Sequence, residues 1–292
     1  MNKRAFITTI LLAAAASAAW AAPSEGGLLS YKLTGSWAGI SGGDYNDRIL
    51  GENNYLKANS TSMSGAYEEL KRGLGFQVEV ILPLSRRLGV GVGGGYYRIR
   101  SEGTVSYSGV SDGTAFEAES TLIPRLSVLP FFVNLHYQFE LGSKLQLDAY
   151  AGPLFQIVQF NAEIPSTSTI LSTVETVTFT ATKTSLGAQA GLGLAYRILK
   201  GVSIIADAFY RTGSISDLTG NWTRVGTNDD GEIAGSSDSY YLWGFDTTAG
   251  GTFSRAGFYD KEGPTEAGIS NIKKAEISLN GLTFQAGLRI NF

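Results

Sequence analysis

The chain closes on Leu282-Thr283-Phe284-Gln285-Ala286-Gly287-Leu288-Arg289-Ile290-Asn291-Phe292. In an extended strand, Leu282, Phe284, Ala286, Leu288, Ile290 and Phe292 fall on one face. Thr283, Gln285, Gly287, Arg289 and Asn291 fall on the other. Alternation this strict describes a strand between two unlike environments. Seven further segments upstream carry the same period, over about 28–42, 73–84, 88–100, 126–141, 145–160, 186–199 and 202–212. In 88–100, Leu88, Val90, Val92 and Tyr96 alternate with Gly89, Gly91, Gly93 and Gly95. In 186–199, Leu186, Leu192, Leu194, Tyr196 and Ile198 are set against Gly187, Gln189, Gly191, Gly193 and Arg197.

The connections alternate too. Ser85-Arg86-Arg87, Gly142-Ser143-Lys144 and Lys200-Gly201 are tight turns, whereas 43–72, 101–124, 161–184 and 213–275 are long and polar. Short turns at one end and long loops at the other is the pattern of an outer-membrane barrel, whose short turns face the periplasm. Alternating stretches inside the long segments, such as Thr176-Val177-Thr178-Phe179-Thr180, predict hairpins that project beyond the bilayer. A secreted β-sandwich or lipocalin-like barrel would alternate as well, with its apolar side chains inward. Glycine decides between them. A small barrel has little interior room, so glycine belongs on the lumen face, opposite the bulky residues. The bulky face therefore points outward into lipid.

The chain opens Met1-Asn2-Lys3-Arg4, continues apolar over 5–19 and reaches Ala19-Trp20-Ala21. That order describes a secretory signal peptide over 1–21, leaving a single barrel domain over 22–292. The apolar run is too short for a spanning helix, which needs about 20 residues. Cysteine is absent, so no disulfide can brace the exported fold. Charge is nearly balanced, 23 basic against 26 acidic residues, with no basic face or tail. Nucleic acid is accordingly not expected as a partner.

The terminal aromatic Phe292, on one face with Phe284, Leu288 and Ile290, resembles the C-terminal signal read by barrel-insertion machinery. The chain as a whole is similar to the small OmpA-like outer-membrane β-barrel superfamily. The likeness rests on the leader, the stretch Val128-Leu129-Pro130-Phe131-Phe132-Val133-Asn134-Leu135-His136-Tyr137, the glycine-rich 186–199 segment and Leu279-Asn280-Gly281 before the last strand. It implies an all-β fold: a transmembrane antiparallel up-and-down barrel of about eight strands with long extracellular loops, in the outer membrane of a Gram-negative envelope. Its partners would be outer-membrane lipids and the insertion machinery. The chain departs from full-length OmpA by ending at the barrel, so a peptidoglycan-binding role is not expected.

Face assignment places Lys32, Glu79, Asn134, His136, Gln138, Asp148, Arg197, Asp207, Arg211 and Arg289 in the lumen. Buried unpaired charge is costly, so opposite charges in a narrow lumen are expected to pair and plug it. So closed, the barrel is expected to have a structural or surface-interaction role, in membrane integrity, adhesion or recognition through its long loops; the alternative is a small gated porin or transporter for small or hydrophobic solutes, lined by the same residues. Catalysis is not expected. A lipid-modifying hydrolase would need a serine beside its histidine near the outer leaflet, whereas His136, the chain's one histidine, has Gln138 as alternate neighbour and lies by the short-turn end. Neither a cofactor nor a metal site is expected; Asn228-Asp229-Asp230-Gly231-Glu232 lacks the ligand spacing of a calcium loop and reads as an acidic turn. Tyr31, Tyr137, Phe139, Tyr196 and Phe292 near one edge, with Trp37, Tyr96 and Tyr210 near the other, match two interfacial girdles. The segment 213–275 carries Trp222, Tyr240, Tyr241, Trp243, Phe245, Phe253, Phe258 and Tyr259, enough for a packed loop that covers the mouth or binds an extracellular ligand.

Overall fold

A computed structural model describes residues 29–111, 113–248 and 251–292. The leader expected over 1–21 lies outside these. Along the chain run β1 (Ser30–Gly39), α1 (Asp44–Asn59), β2 (Ser62–Gly65), β3 (Arg72–Pro83), β4 (Leu88–Arg100), β5 (Gly103–Ser111), β6 (Thr114–Glu140) and β7 (Leu145–Ser168). After a single 3-10 turn at Ile170–Ser172 come β8 (Thr173–Leu199), β9 (Val202–Arg211), β10 (Ser214–Ile215), β11 (Thr219–Asn228) and β12 (Gly231–Thr247). The last are β13 (Phe253–Tyr259), β14 (Ile269–Lys274), β15 (Ile277–Ser278) and β16 (Gly281–Asn291).

Eight of these strands close a ring. β1 pairs with β3, and the ladder continues through β4, β6, β7, β8, β9 and β16 back to β1, antiparallel throughout. They coincide with the eight alternating segments of the sequence. Among the described residues the strands number sixteen in all. The excess over the expected eight lies in the segments expected as loops.

The closed ladder pairs the backbone groups that hydrocarbon would leave unsatisfied. Its outer face carries exposed Leu33, Leu74, Val92, Leu135, Leu192, Ile204 and Leu288. Positions one residue out of phase, such as Lys32, Glu79, Asn134 and Arg289, are buried inside. Phe284, Leu288, Ile290 and Phe292 all point out, and Tyr31 meets Phe292 edge-on with ring centroids 5.5 Å apart. The chain is an outer-membrane-type β-barrel.

β6 and β8 each have 27 residues and β7 has 24, well beyond the roughly 9–11 that cross a bilayer. Their far halves continue as one sheet. β5 adds to β6 and β2 to β5 on one side, while β11 adds to β8 and β12 to β11 on the other, with β13 and β14 flanking β12. This sheet curls around an apolar core that includes Ile99, Leu126, Val158, Phe160, Phe179 and Leu279. The segment 43–72, expected as a polar loop, supplies α1, which packs chiefly on β13 and β15 and sends Tyr45 and Ile49 into that core. The Tyr45 and Phe160 rings meet edge-on at 5.5 Å. A side chain at Gly51 would collide with the Ser254 carbonyl, so the helix can lie this close to β13 only with glycine there.

Arg48 ties the helix down. Its Nη1 donates to the carbonyls of Phe245 (3.1 Å) and Arg255 (2.9 Å), and its Nε to Asp44 Oδ2 (2.9 Å). Burial pushes the Asp44 carboxyl up, but Arg48 and Lys273 outweigh it and hold its pKa below the ordinary value.

The refolded 22–292 chain should migrate differently on a gel before and after boiling, because the closed ladder resists detergent when cold. Arg48→Ala should keep that shift while exposing the long-loop end to protease, at a cost of about 1–3 kcal/mol from unpaired carbonyls. The lowered Asp44 pKa contributes stability that is complete above the ordinary aspartate value and lost as pH falls through the lowered one, so proteolysis of α1 should quicken below about pH 4.

Candidate functional site

The lumen is where the sequence concentrates polar chemistry. Its floor, at the short-turn end, joins β16 to β7: Arg289 Nη1 lies 3.7 Å from Asp148 Oδ2 and 3.4 Å from Gln146 Oε1. One level up, His136 stands between two carboxylates. Its Nδ1 is 3.1 Å from both Asp148 oxygens, and its Nε2 is 2.8 Å from Glu79 Oε1. The same Glu79 oxygen accepts from Asn134 Nδ2 at 2.8 Å, and Gln189 Nε2 donates to Asn134 Oδ1 at 3.1 Å. Lys32 Nζ lies 2.8 Å from Asp207 Oδ2 and 3.9 Å from Glu79 Oε2, and sits over the Tyr150 ring. Gln285 bridges onward, donating to Asp207 Oδ2 (2.7 Å) and accepting from Thr34 Oγ1 (3.0 Å).

Nearest the long-loop end lies Arg211, 1% exposed. It has no carboxylate partner among the described residues. Its guanidinium rests 4.2 Å from the Tyr97 ring centroid and 5.3 Å from that of Phe209, and it donates to Thr283 Oγ1. The charge expected to find an acid is instead held by aromatic faces, whose negative quadrupoles attract a desolvated cation. Tyr97 in turn donates to Gln156 Oε1 at 3.0 Å.

Of the residues expected in the lumen network, Lys32, Glu79, His136, Asp148, Asp207, Arg211 and Arg289 are buried there, His136 completely. Arg197 is not. It keeps the lumen phase, opposite the buried Ser203, but it is the last regularly paired residue of β8 before a register shift, at the rim, where it is exposed; its backbone N–H donates to the Lys144 carbonyl. The structure adds Thr34, Gln285, Gln189, Tyr97 and Tyr150, which share the lumen phase but are not acids or bases of the kind that draws notice in a sequence.

The glycines of β4 explain how the network fits. A Cβ on Gly91 would lie 2.6 Å from His136 Nε2 and collide with the Glu79 carboxylate. The missing side chain is the space in which that pair meets.

The arrangement is unsuited to base catalysis. Both imidazole nitrogens face carboxylates, so neither is available to take a substrate proton. No group of three or more His, Cys, Asp or Glu able to hold a metal occurs among the described residues. At the tip of the β11–β12 hairpin, Asn228 Oδ1 accepts from the Asp230 N–H at 3.0 Å.

No protein-family model and no curated protein matches the chain. Solved structures with an overall likeness include a major outer membrane protein from Thermus thermophilus, 14% identical, covering 90% of this chain and 99% of that one at a TM-score of 0.35. Another is the outer membrane protein OprG from Pseudomonas aeruginosa, 10% identical, covering 91% and 96% at 0.35. A third is the outer membrane protease OmpT from Escherichia coli, 7% identical, covering 91% and 94% at 0.33.

Three substitutions test the network. Gly91→Val should unfold or severely destabilise the barrel, because neither Glu79 nor His136 can move aside without losing its partners. Lys32→Met should cost about 3–5 kcal/mol by stranding Asp207. Adding Asp207→Asn should recover part of that loss in a double-mutant cycle read by urea unfolding.

Proposed function

We propose that the protein is a closed outer-membrane barrel of the small OmpA-like kind, with its long-loop end extracellular and a structural and surface-presenting role. The observation that supports this is the burial of lumen side chains at successive levels: Arg289 and Asp148, then Lys32, Glu79 and His136, then Asn134 and Asp207, then Arg211. A ring of eight strands has an interior about wide enough for its own side chains. Here they hold one another by ion pairs, amide hydrogen bonds and aromatic faces. Above them sits a dry apolar core with α1 across it, a second barrier to solute.

A non-catalytic role accords with the engaged imidazole of His136. The long-loop end, with its continuous sheet and packed aromatics such as Trp222 stacked on Tyr240 (ring centroids 4.8 Å), offers a rigid surface for an extracellular ligand. A mobile gate would be expected to lack such packing.

Planar-bilayer recording tests the reading. The refolded chain should add no steady conductance, and removing α1 should not open a channel, because the polar plug lies below it. Uniform single-channel steps from the intact chain would replace this reading with a small gated porin.

A further inference from the structure

Toward the long-loop side the last outward apolar side chains include Trp37 opposite Leu74, and Leu129 opposite Ile157. The outward residues beyond them differ between sectors. On β8 they are threonines, at positions 184, 182 and 180. On β3, β4 and β6 they include four arginines: Arg72, Arg98, Arg100 and Arg125. Arg98 and Arg100 alternate with Tyr97 and Ile99, which are buried, so both guanidinium groups project from the outer wall.

The register sets Arg100 directly across from Arg125. Like charges opposed in neighbouring strands destabilise a sheet unless an anion lies between or beside them. Protein carboxylates answer this for the opposed pair but not for its neighbours. Arg100 pairs with Glu102, and Arg125 Nη2 lies 3.5 Å from Glu163 Oε2. Arg98 and Arg72 have no carboxylate partner among the described residues. The Nε of Arg125 is buried without any hydrogen-bond partner.

Across β4, β6, β7 and β8 the outer wall is hollowed into a groove of about 290 Å³. Arg98, Arg125 and Glu163 border it, the last already paired with Arg125, and Tyr96, Ser127, Gln159 and Asn161 line it. Leu129 and Ile157, one step toward the membrane, continue its floor as apolar surface. The groove thus sets two guanidinium groups against one carboxylate, leaving Arg98 as the uncompensated charge; it is rich in hydroxyl and amide groups and continuous with the lipid-facing belt.

We propose that it binds the phosphorylated sugar headgroup of an outer-leaflet glycolipid of the lipid A class. Arg98 and Arg125 engage a phosphate, Ser127, Gln159 and Asn161 meet sugar hydroxyls, and the acyl chains run down over Leu129 and Ile157. Guanidinium groups suit this task because their fixed fork matches phosphate oxygens in pairs. A headgroup phosphate also supplies the counter-charge that Arg98 lacks among the described residues. Such a site requires the extracellular orientation of the long-loop end proposed above; it is independent of whether the lumen conducts.

The test is native mass spectrometry of the folded 22–292 chain in detergent, titrated separately with bisphosphorylated lipid A, its dephosphorylated form and phosphatidylglycerol. Bisphosphorylated lipid A should bind best. Arg98→Gln should weaken it about tenfold or more, the loss of a charge-assisted contact. The same variant should keep the heat-dependent gel shift, which separates binding from folding. Arg98→Lys should recover part of the affinity. Equal binding of the dephosphorylated lipid, or an unchanged affinity in Arg98→Gln, would overturn the site. Preference for phosphatidylglycerol, lost in Arg98→Gln, would instead overturn the orientation and place the groove in a phospholipid leaflet.

Discussion

Hydrocarbon offers the backbone no hydrogen-bonding partner, so a strand in the bilayer must be paired on both edges. The ladder between β1 and β16, running from Ser30 opposite Asn291 to Ala38 opposite Thr283, meets that requirement for the first and last strands of the ring. Closing at eight strands sets a narrow interior. Most of the remaining structure is a consequence. Side chains facing inward must fill the space themselves, and polar ones must satisfy one another there.

The lumen resolves its charges in two ways. Lys32, Glu79, Asp207, His136, Asp148 and Arg289 share a connected set of ion pairs and hydrogen bonds that also recruits Asn134 and Gln285. Arg211 stands apart, with aromatic rings in place of an acid. The first solution depends on space left by glycine, since Gly91 makes room for the Glu79 and His136 contact. Removing one charge from such a set is costly because its partner remains buried, whereas removing both can be nearly neutral. The network therefore specifies one packing of the interior more than it adds net stability.

Beyond the membrane the same strands meet water, and the logic of the faces inverts. Inward side chains on the far halves of β6, β7 and β8 become apolar: Leu126, Val158, Phe160 and Phe179 form an ordinary dry core. An open sheet of this length would expose edges and an apolar face. α1 covers the core, held by Arg48 and by the bidentate pair of Arg255 with Glu52 (2.6 and 3.0 Å). The long-loop end is thus a water-facing module built on a membrane-spanning base, with the arginine-lined groove at the level where the two meet.

The alternation of 282–292 and its seven relatives, with the glycine face and the alternating connection lengths, is enough to read the class of fold, the eight strands of the ring and which side of each meets lipid. These are properties of single strands, and a period of two carries them without reference to the rest of the chain. The alternation of 176–180 also announces the far half of the β7–β8 hairpin, but the strands added beside it are not legible in this way, nor is α1. Segments such as 219–228 carry polar residues on both faces, and only pairing with an already extended β8 makes them strands. α1 has few apolar positions, and its place depends on a core assembled from distant strands. Arg197 is exposed although its phase is right: it lies at the rim, where the regular β8–β9 pairing ends, and where a pairing ends is a property of two strands. The sequence alone determined which residues most of the ring strands turn inward. Only the tertiary structure decided which of them meet, because partners such as Lys32 and Asp207 are joined by closure of the ring and not by proximity along the chain.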